Sequence, residues 1–216
     1  MSAVGILGGS FNPPHLGHLA LARQAVSELD LDRALIVPVC RAPHRPAGAD
    51  DPGPAHRLAM CHALLDGCPG LEVSTLEVDR GGLSYTVDTL RAVHARDPEA
   101  ELTVILGADV AATLPSWRAP SEILSLAGLA VAEREPAAGA ASETAPRPVD
   151  VAGVARSLRA DATVSALHMG PVAVSSTLVR ERLAAGMAVD DLVGAAVAEY
   201  ITRNHLYRAR TPAAVS

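Results

Sequence analysis

Lysine is missing from this chain of 216 residues, whose 18 basic side chains are all arginines. The absence excludes a Walker A phosphate loop, a Schiff-base enzyme and a lysyl-adenylate mechanism, because each of these needs a lysine side chain. A phosphate site in this protein must therefore use arginine, histidine and backbone N–H groups. The formal net charge of −6 also disfavours general affinity for nucleic acid.

Aromatic residues, paired cysteines and long apolar runs are also scarce or missing. Only 2% of the chain is aromatic while 49% is hydrophobic, so the core must be aliphatic, which favours strands packed between Ala- and Leu-rich helices. The three cysteines form no Cys-x-x-Cys pair and predict neither a disulfide framework nor a zinc site. Because no apolar run reaches the roughly 20 residues that cross a bilayer and no signal-peptide pattern is seen, we expect a cytoplasmic protein without membrane contacts.

Segments of strand and helix character alternate along the chain. Strands are predicted over 3–8, 34–39, 71–78, 102–109, 126–134 and 162–167. Helices are predicted over 16–29, 55–65, 86–95, 150–159, 176–185 and 190–203. This order predicts an α/β fold of the Rossmann-like, doubly wound type, with a mostly parallel sheet and helices on both faces. We expect one domain over 1–208, with a flexible Ala- and Pro-rich insertion at 135–149 and a disordered tail at 209–216.

The stretch "GGSFNPPHLGH" lies where the first predicted strand passes into the first helix. Gly8 and Gly9 allow close approach of a ligand, and His15 and His18 fall in the first turn, where the helix dipole favours an anion. Two histidines alone do not make a metal site, which needs a third ligand, and the spacing is not that of the dinucleotide-binding Gly-x-Gly-x-x-Gly motif. The residues favour phosphate binding, and a purely capping role for the histidines stays open.

A second segment of interest, "VSSTLVRER" at 174–182, lies far along the chain. Ser176 and Thr177 open a predicted helix that has no acidic residue in its first turn, so its N–H groups remain available to an anion. Arg180 follows one turn later and can add a charge-assisted hydrogen bond. Taken alone, the segment favours an ordinary Ser/Thr helix cap, because these residues are common at such positions.

Together the two segments resemble the phosphate-binding signatures of the nucleotidyltransferase α/β-phosphodiesterase superfamily. The resemblance implies that the β- and γ-phosphates of ATP bind at the second segment and that His15, His18 and Arg180 are catalytic. The implied ATP-binding residues are Gly8, Gly9, Ser10, Phe11, His15, His18, Ser176, Thr177 and Arg180. Asn12 stands where the superfamily often has aspartate, which puts in doubt any role that needs a carboxylate there.

Four further segments, "APHRP" (42–46), "GGLSYTVDTL" (81–90), "GAD" (107–109) and "PSW" (115–117), resemble bacterial nicotinate mononucleotide adenylyltransferases. This likeness implies transfer of an adenylyl group from ATP to nicotinate mononucleotide, giving nicotinate adenine dinucleotide and pyrophosphate in NAD synthesis. The implied mononucleotide-binding residues are Arg45, Ser84, Tyr85, Thr86, Gly107, Asp109, Trp117 and Arg134. The chemistry of the single tryptophan agrees, because an indole face attracts a pyridinium ring. Arg57 is a weaker candidate, since most arginines are solvated.

The implied substrates are ATP, which brings Mg²⁺ with it, and the mononucleotide. No carboxylate cluster predicts a metal cage of the protein's own, so the ion should be held mainly by phosphates. A homo-oligomer and the preference for nicotinate over nicotinamide are left open by the sequence. Two alternatives also stay open: another nucleotidyltransferase of the superfamily, such as a phosphopantetheine adenylyltransferase, or a nucleotide-binding regulator without turnover.

Overall fold

A six-stranded, all-parallel sheet forms the centre of the protein in a computed structural model that describes residues 1–43, 48, 50–134, 150–170 and 173–208. Its strands are β1 (Ala3–Gly9), β2 (Arg33–Pro38), β3 (Leu71–Val73), β4 (Glu101–Gly107), β5 (Gly128–Arg134) and β6 (Val164–Met169). Their spatial order is β3-β2-β1-β4-β5-β6, so the chain reverses direction across the sheet between β1 and β4. The predicted Rossmann-like, doubly wound α/β fold is confirmed.

The helices cover both faces of this sheet. They are α1 (Leu16–Glu28), α2 (Pro54–Leu65), α3 (Leu76–Arg80), α4 (Thr86–Arg96), α5 (Ala108–Ala111), α6 (Pro120–Leu126), α7 (Val151–Leu158), α8 (Ser176–Ala184), α9 (Asp190–Val193) and α10 (Ala195–Arg203). Side chains alternate across each strand, so Val4 and Ile6 join the core beneath α4, α6 and α7, while Leu7 joins the core beneath α1 and α2. A third apolar cluster joins α2 to α8, α9 and α10.

Two predicted segments are wrong in part. The strand expected over 71–78 ends at Val73, and α3 follows it, because Thr75 takes helical backbone angles and its hydroxyl donates to the Asp79 carboxylate at 2.6 Å. The single helix expected over 190–203 is divided at Gly194, whose φ of +81° belongs to the left-handed region. Apolar periodicity alone cannot reveal either local backbone choice.

The connection after β4 also differs from the prediction. The strand expected over 102–109 ends at Gly107, and Asp109 lies in α5 instead of at a strand end. A short 3₁₀ turn (Leu114–Ser116) and α6 follow, neither of which the sequence predicted. These elements place Trp117 above the end of β4, so the unpredicted segment matters for the site.

Some sequence predictions fall outside the described residues. The insertion at 135–149, the tail at 209–216 and Arg45 are among them, and so is the side chain of Arg134. In the part of the chain that the structure describes, no helix is both long and apolar enough to cross a membrane.

Candidate active site

Two adjoining cavities open at the carboxyl ends of the central strands, beside the reversal between β1 and β4. This is the place where ligands bind in open α/β sheets. The first cavity, of about 250 Å³, is called here the acceptor cavity. The predicted residues in its wall are Gly8, Gly9, Ser10, Ser84, Tyr85, Thr86 and Trp117.

The second cavity, of about 290 Å³, is called here the phosphate cavity. It brings together Ser10 from the end of β1 with Ser176 and Arg180 from α8, and Arg41 and Arg57 also line it. Ser10 belongs to the walls of both cavities, so they meet at the first strand end. A ligand could therefore span them, with an anionic part beside the arginines and an apolar part in the acceptor cavity.

The start of α8 is fixed to the loop that follows β1. Ser176 donates its hydroxyl to the carbonyl of Pro13 at 2.8 Å, and Arg180 Nη1 donates to the carbonyl of Asn12 at 2.6 Å. Arg180 Nη2 also donates to Thr177 Oγ1 at 3.3 Å, which orients the guanidinium along the helix. Segments separated by more than 160 residues thus meet at the phosphate cavity.

Asn12 has a second partner at the carboxyl end of the described chain. The hydroxyl of Tyr207 donates to Asn12 Oδ1 at 2.6 Å, and the ring of Tyr207 is buried. Burial raises the pKa of this hydroxyl far above its usual range, so it remains a donor at all physiological pH values. An amide oxygen suffices as its acceptor, so no carboxylate is needed at position 12 for this contact.

Arg57 is the largest polar side chain buried in the site, with 2% of its surface exposed. Its Nη1 donates to the carbonyl of Ser10 at 2.7 Å, and its Nη2 donates to the carbonyl of Cys40 at 3.0 Å. Its Nε donates to the carboxylate of Asp51 at 3.2 Å. One guanidinium therefore joins the ends of β1 and β2 to the segment that precedes α2. Sequence reasoning ranked Arg57 too low, because only the fold reveals its burial.

His15 and His18 lie at the start of α1, where His15 is the N-cap residue. Their rings stack with centroids 3.7 Å apart, and the backbone N–H of His15 donates to His18 Nδ1 at 3.2 Å. This bond leaves the proton of the neutral His18 ring on Nε2. Neither histidine lines the two cavities; the His18 ring instead packs edge-on against Phe11. The capping alternative left open by the sequence is thus present in this structure.

Both imidazoles are neutral at physiological pH. Burial lowers the pKa of His15 to about 4, and burial together with the nearby His15 lowers the pKa of His18 to about 3. His15 Nδ1 is buried without a hydrogen-bond partner among the described residues. The pair therefore offers uncharged donors and acceptors, and the formal positive charge of the site comes from arginine.

Acid conditions should reveal these two buried histidines. Below about pH 6.5 the unfolded chain protonates both rings while the folded chain keeps them neutral down to about pH 4, so stability should fall as the pH is lowered through that window. Each ring contributes a slope of up to about 1.4 kcal/mol per pH unit. Urea unfolding at several pH values should give a flatter dependence for the double variant His15→Asn/His18→Gln than for the unaltered chain. The exposed control His94→Gln should leave the slope unchanged; equal slopes for all three proteins would contradict the assignment.

The wall of the acceptor cavity combines rings with hydrogen-bond donors. Trp117 is half-buried, and its Nε1 donates to Thr113 Oγ1 at 2.8 Å, which fixes the indole plane. Tyr85 is the N-cap residue of α4, and no side chain caps that helix start. The Arg118 guanidinium lies 4.8 Å over the Tyr85 ring and 3.5 Å from the Asp88 carboxylate. The arrangement suits a flat ring with an anionic substituent.

Ser84 has a structural contact in addition to its place in the cavity wall. Its hydroxyl oxygen accepts a hydrogen bond from the Cys40 N–H at 2.9 Å, and its own N–H donates to the Arg41 carbonyl at 2.9 Å. These bonds attach the segment after β2 to the start of α4. Ser84 therefore shapes the cavity, and its hydroxyl proton can still donate to a ligand.

The remaining predicted residues lie near the cavities without lining them. Phe11 is buried in the loop after β1, with φ at +47° and its ring against Gly9. Thr177, Gly107 and Asp109 belong to neither cavity wall. Arg118 and Glu77 line the acceptor cavity but were not predicted, because neither residue belongs to a recognisable pattern in the sequence.

Metal-binding residues were not found as a group. No three His, Cys, Asp or Glu side chains are clustered for metal binding among residues 1–43, 48, 50–134, 150–170 and 173–208. The predicted donors on the phosphate cavity are hydroxyl and guanidinium groups from Ser10, Ser176 and Arg180. Such donors suit phosphate oxygens, whereas Mg²⁺ prefers oxygen ligands and water.

Comparison with solved structures supports the fold. A nicotinic acid mononucleotide adenylyltransferase of Plasmodium falciparum, complexed with NaAD, matches with a TM-score of 0.72 at 17% identity, over 96% of this chain and 98% of that one. A nicotinate-nucleotide adenylyltransferase of Vibrio parahaemolyticus matches with a TM-score of 0.65 at 20% identity, over 96% of each chain. At these identities the likeness shows the shared fold alone.

Comparison of sequences identifies the family. The cytidylyltransferase-like family matches residues 6–182. A protein of Gemmatimonas aurantiaca named nicotinate-nucleotide adenylyltransferase is 40% identical, over 95% of this chain and 92% of its own length. A protein of Albidiferax ferrireducens with the same name is 40% identical, over 96% and 99% respectively. The chain therefore belongs to the cytidylyltransferase-like family and, within it, to the nicotinate-nucleotide adenylyltransferases.

Proposed function

We propose that this protein transfers the adenylyl group of ATP to nicotinate mononucleotide, which yields nicotinate adenine dinucleotide and pyrophosphate. The observation that carries the proposal is the meeting of two different cavities at Ser10. One is lined by three arginines and two serine hydroxyls, with the carboxylates of Asp50 and Asp51 also in its wall, and the other by Trp117, Tyr85 and a helix start. A dinucleotide product has this same division between a phosphate bridge and a ring. The family and the names of the relatives agree with this reaction.

The reaction needs positioning more than proton transfer. The attacking phosphate of the mononucleotide is already anionic at neutral pH, so no general base or protein nucleophile is required. The protein must bring two polyanions together in line and stabilise the charge that grows on the α-phosphate and the leaving pyrophosphate. Among the proposed catalytic groups, Arg180 lines the phosphate cavity and supplies positive charge. His15 and His18 line neither cavity, so their proposed hydrogen bonds from neutral rings rest on the sequence motif alone.

The acceptor is proposed to enter the other cavity with its ring against Trp117. The indole face attracts a pyridinium ring, and the start of α4 at Tyr85 and Thr86 provides N–H groups for the nicotinate carboxylate. Asp109, in α5 after the end of β4, is proposed to accept hydrogen bonds from the ribose hydroxyls. Arg45 stays in the proposal as a phosphate contact on the strength of its sequence motif alone, and Arg134 stays as a weaker candidate for mononucleotide binding.

Magnesium is proposed to arrive as part of the ATP substrate. Enzymes of this family generally use a divalent metal ion with ATP. The hydroxyl and guanidinium donors of the phosphate cavity fit the phosphate oxygens of a Mg²⁺–ATP complex, while the ion keeps several waters. We further propose that residues 1–208 act as a single nucleotidyltransferase domain.

The test of the function is a pyrophosphate-release assay with ATP, Mg²⁺ and a series of acceptors. Nicotinate mononucleotide should give turnover and a dinucleotide product, and its kcat/KM should be compared side by side with that of nicotinamide mononucleotide. Phosphopantetheine serves as the acceptor for the alternative enzyme. Turnover with phosphopantetheine but neither mononucleotide would assign the chain to that alternative, and ATP binding without pyrophosphate release for any acceptor would indicate a regulator.

Trp117→Ala should weaken mononucleotide binding more than ATP binding. The change removes the stacking face of the acceptor cavity and leaves the phosphate cavity untouched. We expect KM for nicotinate mononucleotide to rise about tenfold or more, because a desolvated cation–π contact is worth up to about 2 kcal/mol. Steady-state kinetics with each substrate varied in turn measure the effect. Thr113→Val, which removes the indole hydrogen bond and the bond from Thr113 Oγ1 to the Val110 carbonyl but keeps the indole ring in the cavity wall, is the control. Equal KM changes for both substrates in Trp117→Ala would refute the stacking role.

A further inference from the structure

Glu77 is a buried acid in the wall of the acceptor cavity. It lies in α3, and only 4% of its surface is exposed. Glu77 Oε1 accepts a hydrogen bond from the buried hydroxyl of Thr89 on α4. Its other oxygen, Oε2, is buried and has no hydrogen-bond partner among the described residues. An acid in this position requires an explanation, because buried polar groups are nearly always satisfied.

The charge balance of the cavity gives that explanation. Glu77 and Arg118 are the charged residues among the described wall of the acceptor cavity. Arg118 has 56% of its side chain exposed and is paired with Asp88, so it does not neutralise the buried acid. Burying a carboxylate without a partner is unfavourable, and a cation that entered the cavity would remove this cost. Among the described residues, the cavity wall thus holds an acid that has no cationic partner.

We propose that Glu77 is a specificity-determining residue that supplies the counter-charge for the cationic ring of the mononucleotide. This inference rests on the function proposed above. A nicotinate or nicotinamide ring that is bonded to ribose through its nitrogen is a pyridinium and carries a positive charge. Trp117 offers that ring a stacking face, and Glu77 offers it a full negative charge from the same cavity wall.

Selection by charge has a consequence for the redox form of the acceptor. The dihydro form of the same mononucleotide has a neutral ring, while its phosphate and ring substituent are unchanged. A cavity that contains an unpaired carboxylate should therefore favour the oxidised mononucleotide over the reduced one. The adenylyl-transfer site would then admit oxidised acceptors in preference to their hydride-reduced counterparts.

Variants of Glu77 and Thr89 can separate the effect of the Glu77 charge from the effect of its hydrogen bond to α4. Glu77→Gln removes the negative charge, yet its amide oxygen can still accept the Thr89 hydrogen bond. Thr89→Val removes that hydrogen bond, together with the longer one from Thr89 Oγ1 to the Tyr85 carbonyl at 3.5 Å, and keeps the carboxyl group. Because Thr89 also lines the acceptor cavity, this variant is the control for any effect that acts through α4 or the cavity wall instead of the charge. If Glu77 acted only by holding α4 in place, Thr89→Val would reproduce the result of Glu77→Gln.

The experiment compares kcat/KM for oxidised and dihydro nicotinate mononucleotide at slightly alkaline pH, with saturating Mg²⁺–ATP. The unaltered protein should prefer the oxidised form at least tenfold, and Glu77→Gln should reduce this preference about tenfold or more, as expected for a charge pair at close range. Thr89→Val should keep the preference. The change in preference isolates Glu77, because loss of stacking on reduction of the ring affects both proteins alike.

Three outcomes would overturn the inference: no preference for the oxidised form in the unaltered protein, an unchanged preference in Glu77→Gln, or a loss of preference in Thr89→Val. A shift of the acid-to-amide ratio in Glu77→Gln without a shift of the oxidised-to-reduced ratio would show that Glu77 senses the ring substituent instead. Fluorescence of Trp117, the single tryptophan, measures binding of both forms without turnover. Failure of the proposed function is distinguishable, because the unaltered protein would then release no pyrophosphate with either mononucleotide.

Discussion

Arg180→Ala is expected to lower kcat for adenylyl transfer by about 10²–10³-fold, which is the usual effect of losing one preorganised donor to developing charge. Arg180 lines the phosphate cavity together with Ser10 and Ser176. Its guanidinium is held by the Asn12 carbonyl and by Thr177 Oγ1, so it is oriented before any substrate arrives. The proposed mechanism assigns charge stabilisation on the leaving pyrophosphate to this group, and the loss should therefore appear in kcat more than in KM for the mononucleotide.

Arg182→Ala is the matched control for this result. Arg182 lies on the same helix and carries the same charge, but it pairs with Asp191 at 2.8 Å and lines neither cavity. Its removal should change kcat by less than about twofold, since Arg182 lies outside both cavities. Arg180→Lys keeps the positive charge but lacks the planar guanidinium, so its kcat should lie between those of Arg180→Ala and Arg182→Ala. If Arg180→Ala turned over within threefold of the unaltered protein, Arg180 would have no catalytic role.

Arg57→Met is expected to destabilise the folded protein by about 3–5 kcal/mol, the cost of breaking a buried ion pair by removing one partner. Methionine fills much of the same volume but makes none of the three hydrogen bonds that Arg57 donates to Ser10, Cys40 and Asp51. The carbonyl groups of Ser10 and Cys40 would then lose a charged donor inside the site. Urea unfolding followed by circular dichroism measures the change.

An exposed ion pair gives the reference for this measurement. Arg203 and Glu199 form an i,i+4 pair on α10 with about two thirds of each side chain exposed, at 70% and 68%. Arg203→Met should therefore cost less than about 1 kcal/mol. If Arg57→Met and Arg203→Met lowered the free energy of unfolding by similar amounts, the buried contacts of Arg57 would add nothing to stability. A large loss in Arg57→Met alone would confirm that this arginine holds the ends of β1 and β2 together.

Strong sequence patterns predicted the main elements of the fold. The apolar segments at 3–8, 34–39 and 102–109 correspond to the three central strands, because a strand buried on both faces must be apolar throughout. The prediction was wrong where a segment was too short for its sequence to distinguish a strand from a helix. Ser74 and Thr75 end β3 through a local side-chain hydrogen bond, and the elements between Gly107 and Gly128 are too short to show a clear period.

Motif chemistry predicted a phosphate site around the two segments, but it did not reveal the surroundings of the histidines. From the sequence, His15 and His18 were phosphate ligands beside a helix start. The structure places His15 at the cap, stacks the two rings and packs the His18 ring against Phe11, and burial lowers the pKa of both histidines so that they are neutral. Burial depends on neighbours from distant parts of the chain, and no local pattern encodes it.

The sequence by itself determined the class of fold, the absence of lysine chemistry, and the two segments that meet at the phosphate cavity. Those properties follow from residue types and from periodicity, which are local. Only the tertiary structure decided that Arg57 is buried between two strand ends, that Tyr207 contacts Asn12, and that Glu77 Oε2 in the acceptor cavity has no hydrogen-bond partner among the described residues. Such contacts and burial depend on residues that are distant in sequence. These residues come together and exclude water only when the chain has folded.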